Sequence, residues 1–195
     1  MNYDNLYYRY FYPFPTLTTD RLILRKLTKN DAQSLYEYCS SSRAAQYSLW
    51  TPHSSVSETK SFLKYLVHSA HRGEYMTWGI VLKSSGELIG TCGYTYTDDD
   101  FKIAELGYGI KEKHYGNGYA TEAMKAVIDY GFCTVGFVRQ YAKVMVGNTP
   151  SVKLLERLGF IHEGNLKKGI IAKDKATDVS IYAMCDDDYE KIINK

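Results

Sequence analysis

Residues 108–123 constrain the fold most: Tyr108-Gly-Ile-Lys-Glu-Lys-His-Tyr-Gly-Asn-Gly-Tyr-Ala-Thr-Glu-Ala123. An apolar, strand-like run ends in a short basic turn carrying Lys111, Lys113 and His114. Gly116-x-Gly118 follows and opens directly into a helical stretch. Glycines let a ligand approach the backbone, and a helix start offers unpaired N–H groups at the positive end of its dipole. This junction is suited to a pyrophosphate and requires a strand–loop–helix unit. No third glycine follows three residues on, so the dinucleotide spacing is absent, and no Gly-Lys-Ser/Thr closes a P-loop.

The rest of the chain is ordinary for a globular protein. At 195 residues, 45% hydrophobic and 24% charged, it is read as one domain with a substantial core. A net charge of +2 gives no nucleic-acid footprint. No apolar run reaches the length of a membrane span, and no signal pattern opens the chain. Cys39, Cys92, Cys133 and Cys185 are scattered without metal spacing, which points to reduced thiols in a cytoplasm and no metal site. His68 and His71, at i,i+3, read as a wet helix face. Tyr3, Tyr7, Tyr8, Tyr10, Phe11, Tyr12 and Phe14 make residues 1–14 an aromatic arm ahead of a domain at 15–195. The arm either packs on its own domain, contacts a second copy or walls a substrate site.

Periodicity predicts an α/β domain with strands paired mostly antiparallel early and helices inserted later. Strands are expected at 21–27, 77–82, 87–96, 103–110, 139–146, 160–163 and 179–184. Asn30 and Asp31 can cap a helix, Ser55-x-x-Glu58 has capping-box spacing, and Pro150 to Leu158 is bounded by a first-turn proline and Gly159. Asp98–Asp100 reads as a solvated loop and Asp186–Asp188 as a helix start.

Within 103–110, alternation puts Ile103, Glu105, Gly107 and Gly109 on one face, and Ala104, Leu106, Tyr108 and Ile110 on the core face. Glycines weaken a strand unless something approaches its backbone or it must bend. Asn148-Thr-Pro-Ser151 through Gly159-Phe160 is a strand end, a capped helix and a glycine exit. That account leaves Asn148 and Ser151 as polar groups at the carboxyl end of a strand, a common place for sites in α/β folds.

Tyr115-Gly-Asn-Gly-Tyr-Ala-Thr-Glu-Ala123, together with Asn148-x-x-Ser151 through Gly159-Phe160, resembles the acetyl-CoA motif and the motif after it in the GNAT acetyltransferase superfamily. Thr18 to Arg25, Trp50-Thr-Pro-His53, Glu105-Leu-Gly-Tyr108 and Asp178 to Met184 are similar to its RimJ/RimL-like branch, which acetylates protein N-termini and small amines. The resemblance runs from about Pro15 to the C-terminus. Two positions depart: Lys113 stands where that loop usually opens with Gln or Arg, which keeps the charge without the planar fork, and Tyr115 stands where the branch usually has Trp, a mild change.

The resemblance implies a single-domain GNAT fold whose splayed central strands hold acetyl-CoA, and direct attack of an amine on the thioester without an acetyl-enzyme. It assigns the pantetheine arm to Tyr108, Gly109 and Ile110. The pyrophosphate loop falls to Lys113, Tyr115, Gly116, Asn117, Gly118, Tyr119, Ala120 and Thr121. Glu105 becomes the candidate general base, Ser151 the donor to the departing thiolate (or a helix-turn cap), and Asn148 a cofactor- or water-orienting group. Arg43, Tyr47, Trp50 and His53 fall in the region expected to wall the acceptor, although Trp50 could be core and His53 a turn residue.

An α-amine with pKa about 8 needs about 1.4 kcal/mol for deprotonation at pH 7, whereas a lysine amine near 10.4 needs about 4.6 kcal/mol. A single carboxylate suits the first task. A protein N-terminus is the expected acceptor. The alternatives are an aminoglycoside-like or other small amine, and a non-catalytic acyl-CoA-binding module. The chain is expected to act as a monomer or homodimer, without nucleic acid or membrane.

Overall fold

Antiparallel strand pairing builds the first half of the molecule. The computed structural model describes residues 6–72 and 74–194, without the side chain of His71, so Tyr3 lies outside the described residues and the expected His68/His71 pair partly so. After a short helix α1 (Leu6–Tyr10), strands β1 (Leu17–Thr18) and β2 (Leu22–Lys26) form a first pair. Helices α2 (Ala32–Cys39), α3 (Ser42–Ala45) and α4 (Val56–His71) cross over to β3 (Met76–Leu82), β4 (Leu88–Asp98) and β5 (Ile103–Ile110). Each of these strands runs antiparallel to the previous one.

The second half adds α5 (Tyr119–Tyr130), β6 (Arg139–Met145), α6 (Thr149–Arg157), β7 (Ile161–Ala172), β8 (Lys175–Cys185) and α7 (Asp186–Ile193). Among the described residues the sheet has eight strands in the order β1-β2-β3-β4-β5-β6-β8-β7. The expected mixed, mostly antiparallel α/β architecture is the one observed.

The β5–β6 junction positions the site. These two strands are parallel, and they pair only at Ile103–Arg139, Ala104–Gln140 and Glu105–Tyr141. Beyond Glu105 they part, because β6 stays in register with β8 along its whole length while β5 stays with β4. The edge of β5 from Leu106 to Ile110 therefore has no strand partner on the β6 side, and its backbone groups must be met by something else.

The described part of the aromatic arm, residues 6–14, packs on the core through Leu6, Tyr7 and Phe11, while Tyr12 stays exposed. Phe11 is fully buried, with its ring 5.8 Å from Trp78 and 6.1 Å from Tyr94, and the Tyr130 hydroxyl donates to the Tyr10 carbonyl. The last strands are longer than their patterns suggest. β7 reaches Ala172 because it is an edge strand, mostly exposed and interrupted by register shifts at His162/Gly164 and Leu166/Ile170. No buried face imposes alternation there. Asp31 is the N-cap residue of α2, as expected, but its carboxylate closes a capping box with Thr28 across the 3-10 turn that precedes the helix instead of bonding into α2. No helix among the described residues is long and apolar enough to cross a membrane.

Candidate active site

A groove follows the opening between β5 and β6. It is lined by β5 from Glu105 to Ile110, β6 from Tyr141 to Met145, the loop and first turn of α5, and the start of α6. Residues 40–50 and the β7–β8 hairpin cover its other end. None of residues 6–14 lines it.

The glycine loop is built as its sequence predicts. Gly116 and Gly118 both have φ of +78°, and Gly118 is the left-handed residue that starts α5. A side chain at Gly116 would stand in open space, so close packing does not require the glycine; backbone conformation and approach from the groove do. The Asn117 side-chain amide donates to the carbonyls of His114 and Tyr115, bracing the loop from outside the groove. Tyr115, Gly116, Gly118, Tyr119, Ala120 and Thr121 all face the groove. An open-edged strand leading to a helix start with free N–H groups fits an extended thioester arm and a pyrophosphate.

Two arginines missing from the sequence reading complete this end. Arg21 donates to the Asn117 carbonyl at 3.0 Å, pairs with Glu122 at 2.6 Å and lies 4.6 Å over the Tyr119 ring. The Thr19 hydroxyl donates to the same Glu122. The turn before β2 thus clamps the first turn of α5. Arg157 lines the groove and donates to the Thr121 hydroxyl at 3.3 Å. Only tertiary placement brings these residues to the loop.

Lys113 does not face the groove. Its ammonium pairs with Glu87 at 2.8 Å. Lys111, almost fully buried, donates to Ser34 at 2.7 Å, Glu37 at 2.8 Å and Glu87 at 3.1 Å, and His114 meets Glu87 at 3.2 Å. The Lys113 hydrogen bond, aided by Lys111 and opposed by partial burial, holds the Glu87 carboxyl down at about 2. The basic turn is therefore anchored to β4's lead-in and to α2, and the positive charge at the loop comes from Arg21, Arg43 and Arg157.

The three candidate reacting residues surround the opening. Glu105 sits at the fork, its side chain 19% exposed, with Oε2 2.7 Å from Lys143 Nζ. Tyr141 faces it from β6; burial and the Glu105 charge push the Tyr141 phenol up. Ser151 Oγ lies 2.6 Å from the Tyr108 hydroxyl. Burial pushes that phenol up to about 12, although the Ser151 contact works against the shift. Asn148 is the N-cap of α6, its Oδ1 accepting from the Ser151 N–H at 3.3 Å. Because Asn148 caps this helix, the Ser151 hydroxyl is left to pair with Tyr108 instead. The core face expected for β5 is real, but the Tyr108 hydroxyl reaches out of it into the groove.

The four proposed acceptor residues separate. Tyr47 and Trp50 line the groove, with Trp50 5.7 Å from the Tyr38 ring and its indole N–H buried without a partner. Arg43 stands at the cofactor loop, 2.7 Å from Glu112 and 5.6 Å over the Tyr115 ring. His53 is a correction: it is buried away from the groove, bonded to Thr59 at 2.8 Å and edge-on to Phe62. The turn after Pro52 folds it beneath α4, where its ring fills core space.

The chain matches the family model described as an acetyltransferase (GNAT) domain over residues 21–161. It is 37% identical to the uncharacterized N-acetyltransferase p20 of Bacillus licheniformis, across 89% of this chain and 98% of that protein. It is 31% identical to the ribosomal-protein-serine acetyltransferase of Escherichia coli, across 85% and 93%. Its fold superposes with a TM-score of 0.77 on the microcin C7 self-immunity acetyltransferase MccE in complex with acetyl-CoA and AMP, at 24% identity over 86% and 93% of the two chains. The chain belongs to the GNAT family of acetyltransferases, with acetyl-CoA as its cofactor.

Proposed function

We propose that this N-acetyltransferase acetylates a protein N-terminal α-amine by direct attack within a ternary complex. The observation that carries this reading is Glu105 at the fork of the open strands, the one carboxylate lining the groove among the described residues. Arg43, His114, Lys143 and Arg157 line the same groove. A polycationic acceptor would meet more positive than negative charge there, whereas a single amine of modest pKa needs just one acceptor oxygen.

In this reading Glu105 accepts the amine proton, directly or through a water. The Ser151 hydroxyl, backed by Tyr108, donates to the departing sulfur. The backbone of Tyr108, Gly109 and Ile110 holds the pantetheine arm and the amides from Tyr115 to Ala120 hold the pyrophosphate, while acetyl-CoA supplies the acetyl group as a thioester. Asn148 orients Ser151 by fixing the helix start. A cytoplasmic location fits four cysteines that are all free.

Thiol release from acetyl-CoA tests the proposal. The purified protein is assayed against peptides beginning with Ser, Ala and Met, the same peptides Nα-blocked with an internal lysine, and a set of small amino compounds. Turnover of an unblocked peptide alone supports the reading. Turnover confined to a small amine replaces it with the small-molecule alternative.

A further inference from the structure

Lys143 occupies a position that the reaction outlined above does not use. In the β6 register Tyr141 lies opposite Glu105, and Lys143 follows two residues on, on the same face. Its ammonium takes one oxygen of Glu105 at 2.7 Å and stands 5.7 Å from the Tyr141 ring. Lys143 is one-third exposed and lines the groove, so its charge faces the space in which an amine would meet Glu105.

The remaining groups around Glu105 are phenols. Tyr75, which precedes β3, and Tyr141 are both pushed up, first by burial and then by neighbours that include the Glu105 charge. Tyr65 of α4 packs edge-on against Tyr75, and Tyr96 of β4 pairs with Asp98 at 3.1 Å. Arg139 lies beyond Tyr141 and is bound to Glu163 at 2.6 Å. No second carboxylate lines the groove among the described residues. An ammonium entering this space must compete with Lys143 for one carboxylate and face its charge at short range. A neutral amine pays neither cost and still finds Glu105 as a hydrogen-bond acceptor.

We propose that Lys143 is a specificity-determining positioning residue that admits the acceptor as a neutral amine and turns away ammonium groups, and so selects N-terminal α-amines over lysine side chains. This rests on the reading that Glu105 meets the acceptor amine. Lys143 touches neither the thioester nor the amine; it acts through the field it places on their meeting point.

The test compares wild type, Lys143→Met and Lys143→Arg, using a serine-initiated peptide as probe and following kcat from pH 6 to 10. Wild-type turnover of the peptide tests the acceptor reading; the differences among the three proteins test Lys143. Removing the charge lets the ammonium form occupy the site, so more alkaline solution is needed to reach the neutral amine. The ascending limb of kcat for Lys143→Met is expected about one pH unit above wild type, roughly a ten-fold loss at any pH on that limb. Lys143→Arg keeps the charge and is expected to keep the wild-type limb. Acetyl-CoA affinity, measured by calorimetry, is expected unchanged in both, which separates this effect from misfolding. Superimposable limbs in all three proteins, or an equal shift in the Met and Arg variants, would overturn the proposal.

Discussion

The Tyr108 hydroxyl lies 2.6 Å from Ser151 Oγ, joining β5 to α6 across the gap where β5 and β6 part. Burial keeps the Tyr108 phenol protonated, up to about 12. It can therefore donate to Ser151 throughout the neutral range, which directs the Ser151 proton outward to the groove. Ser151→Ala is expected to lower kcat ten- to hundred-fold, the lower part of the range for a positioned proton donor because a thiolate is a good leaving group (~10²–10⁴ in general). Tyr108→Phe is expected to lose less, since Ser151 keeps its own proton. Steady-state kinetics with acetyl-CoA varied should show KM changing less than about three-fold in both. A large KM change with kcat intact would make the pair a binding contact.

Replacing Glu105 by Gln tests the proton acceptor. With an N-terminal peptide, kcat/KM is expected to fall about 100-fold at pH 7, because the proton shed by the attacking amine loses its acceptor. Thiol release from the two proteins at pH 7 gives the ratio. Equal activity of variant and wild type at pH 7 would remove Glu105 from its role.

Local pattern made much of this molecule legible, and tertiary placement hid the rest. The β5 alternation, the glycine loop and the α6 boundaries are set by backbone chemistry within a few residues; the first two are observed where the sequence puts them, and α6 lies one residue earlier at each end. His53 could not be placed from its neighbours, because whether it faces the groove or the core depends on how α4 lies over it. Lys113 looked like a phosphate ligand on its own segment; Glu87, distant in sequence, draws it away. Arg21 and Arg157 reach the loop from other elements, and Lys143 meets Glu105 only through the short parallel register of β5 and β6. Contacts of this kind leave no periodic signal in a single sequence.

Two glycines should behave differently when changed to alanine. At Gly109 an added Cβ would stand 1.8 Å from the Tyr38 hydroxyl, and that ring is buried and packed against Trp50. Overpacking there is expected to cost about 1–3 kcal/mol and to displace the strand edge that holds the pantetheine arm. At Gly116 nothing lies within 4 Å, and only the φ of +78° opposes a side chain. That strain is expected to cost about 1–2 kcal/mol, confined to the loop. Calorimetric titration with acetyl-CoA and urea unfolding should show Gly109→Ala losing both affinity and global stability, and Gly116→Ala losing chiefly affinity. Unchanged unfolding for Gly109→Ala would mean that Tyr38 moves aside freely.

Glu87 ties the basic turn together, and its contribution should depend on pH. Its carboxyl is held down at about 2 by the Lys113 hydrogen bond first, then by Lys111 against partial burial. A depressed folded-state value means stabilisation that is fully present above the unfolded carboxylate range, near 4.3, and lost as pH falls towards the folded value. Lys113 is 59% exposed, so solvent screening reduces what the shift alone would suggest. Glu87→Gln is expected to cost about 1–2 kcal/mol at pH 7. Urea unfolding of both proteins between pH 7 and pH 2.5 should show a constant gap down to about pH 5 that then closes, because protonated Glu87 and Gln carry the same charge. Lys111 sharpens the test: buried beside Glu37 and Ser34, it keeps one carboxylate partner when Glu87 is replaced, so the variant should remain folded at pH 7, where the gap is first read. A gap that persists unchanged at pH 2.5 would show that Glu87 acts through packing and neutral hydrogen bonds instead of its charge.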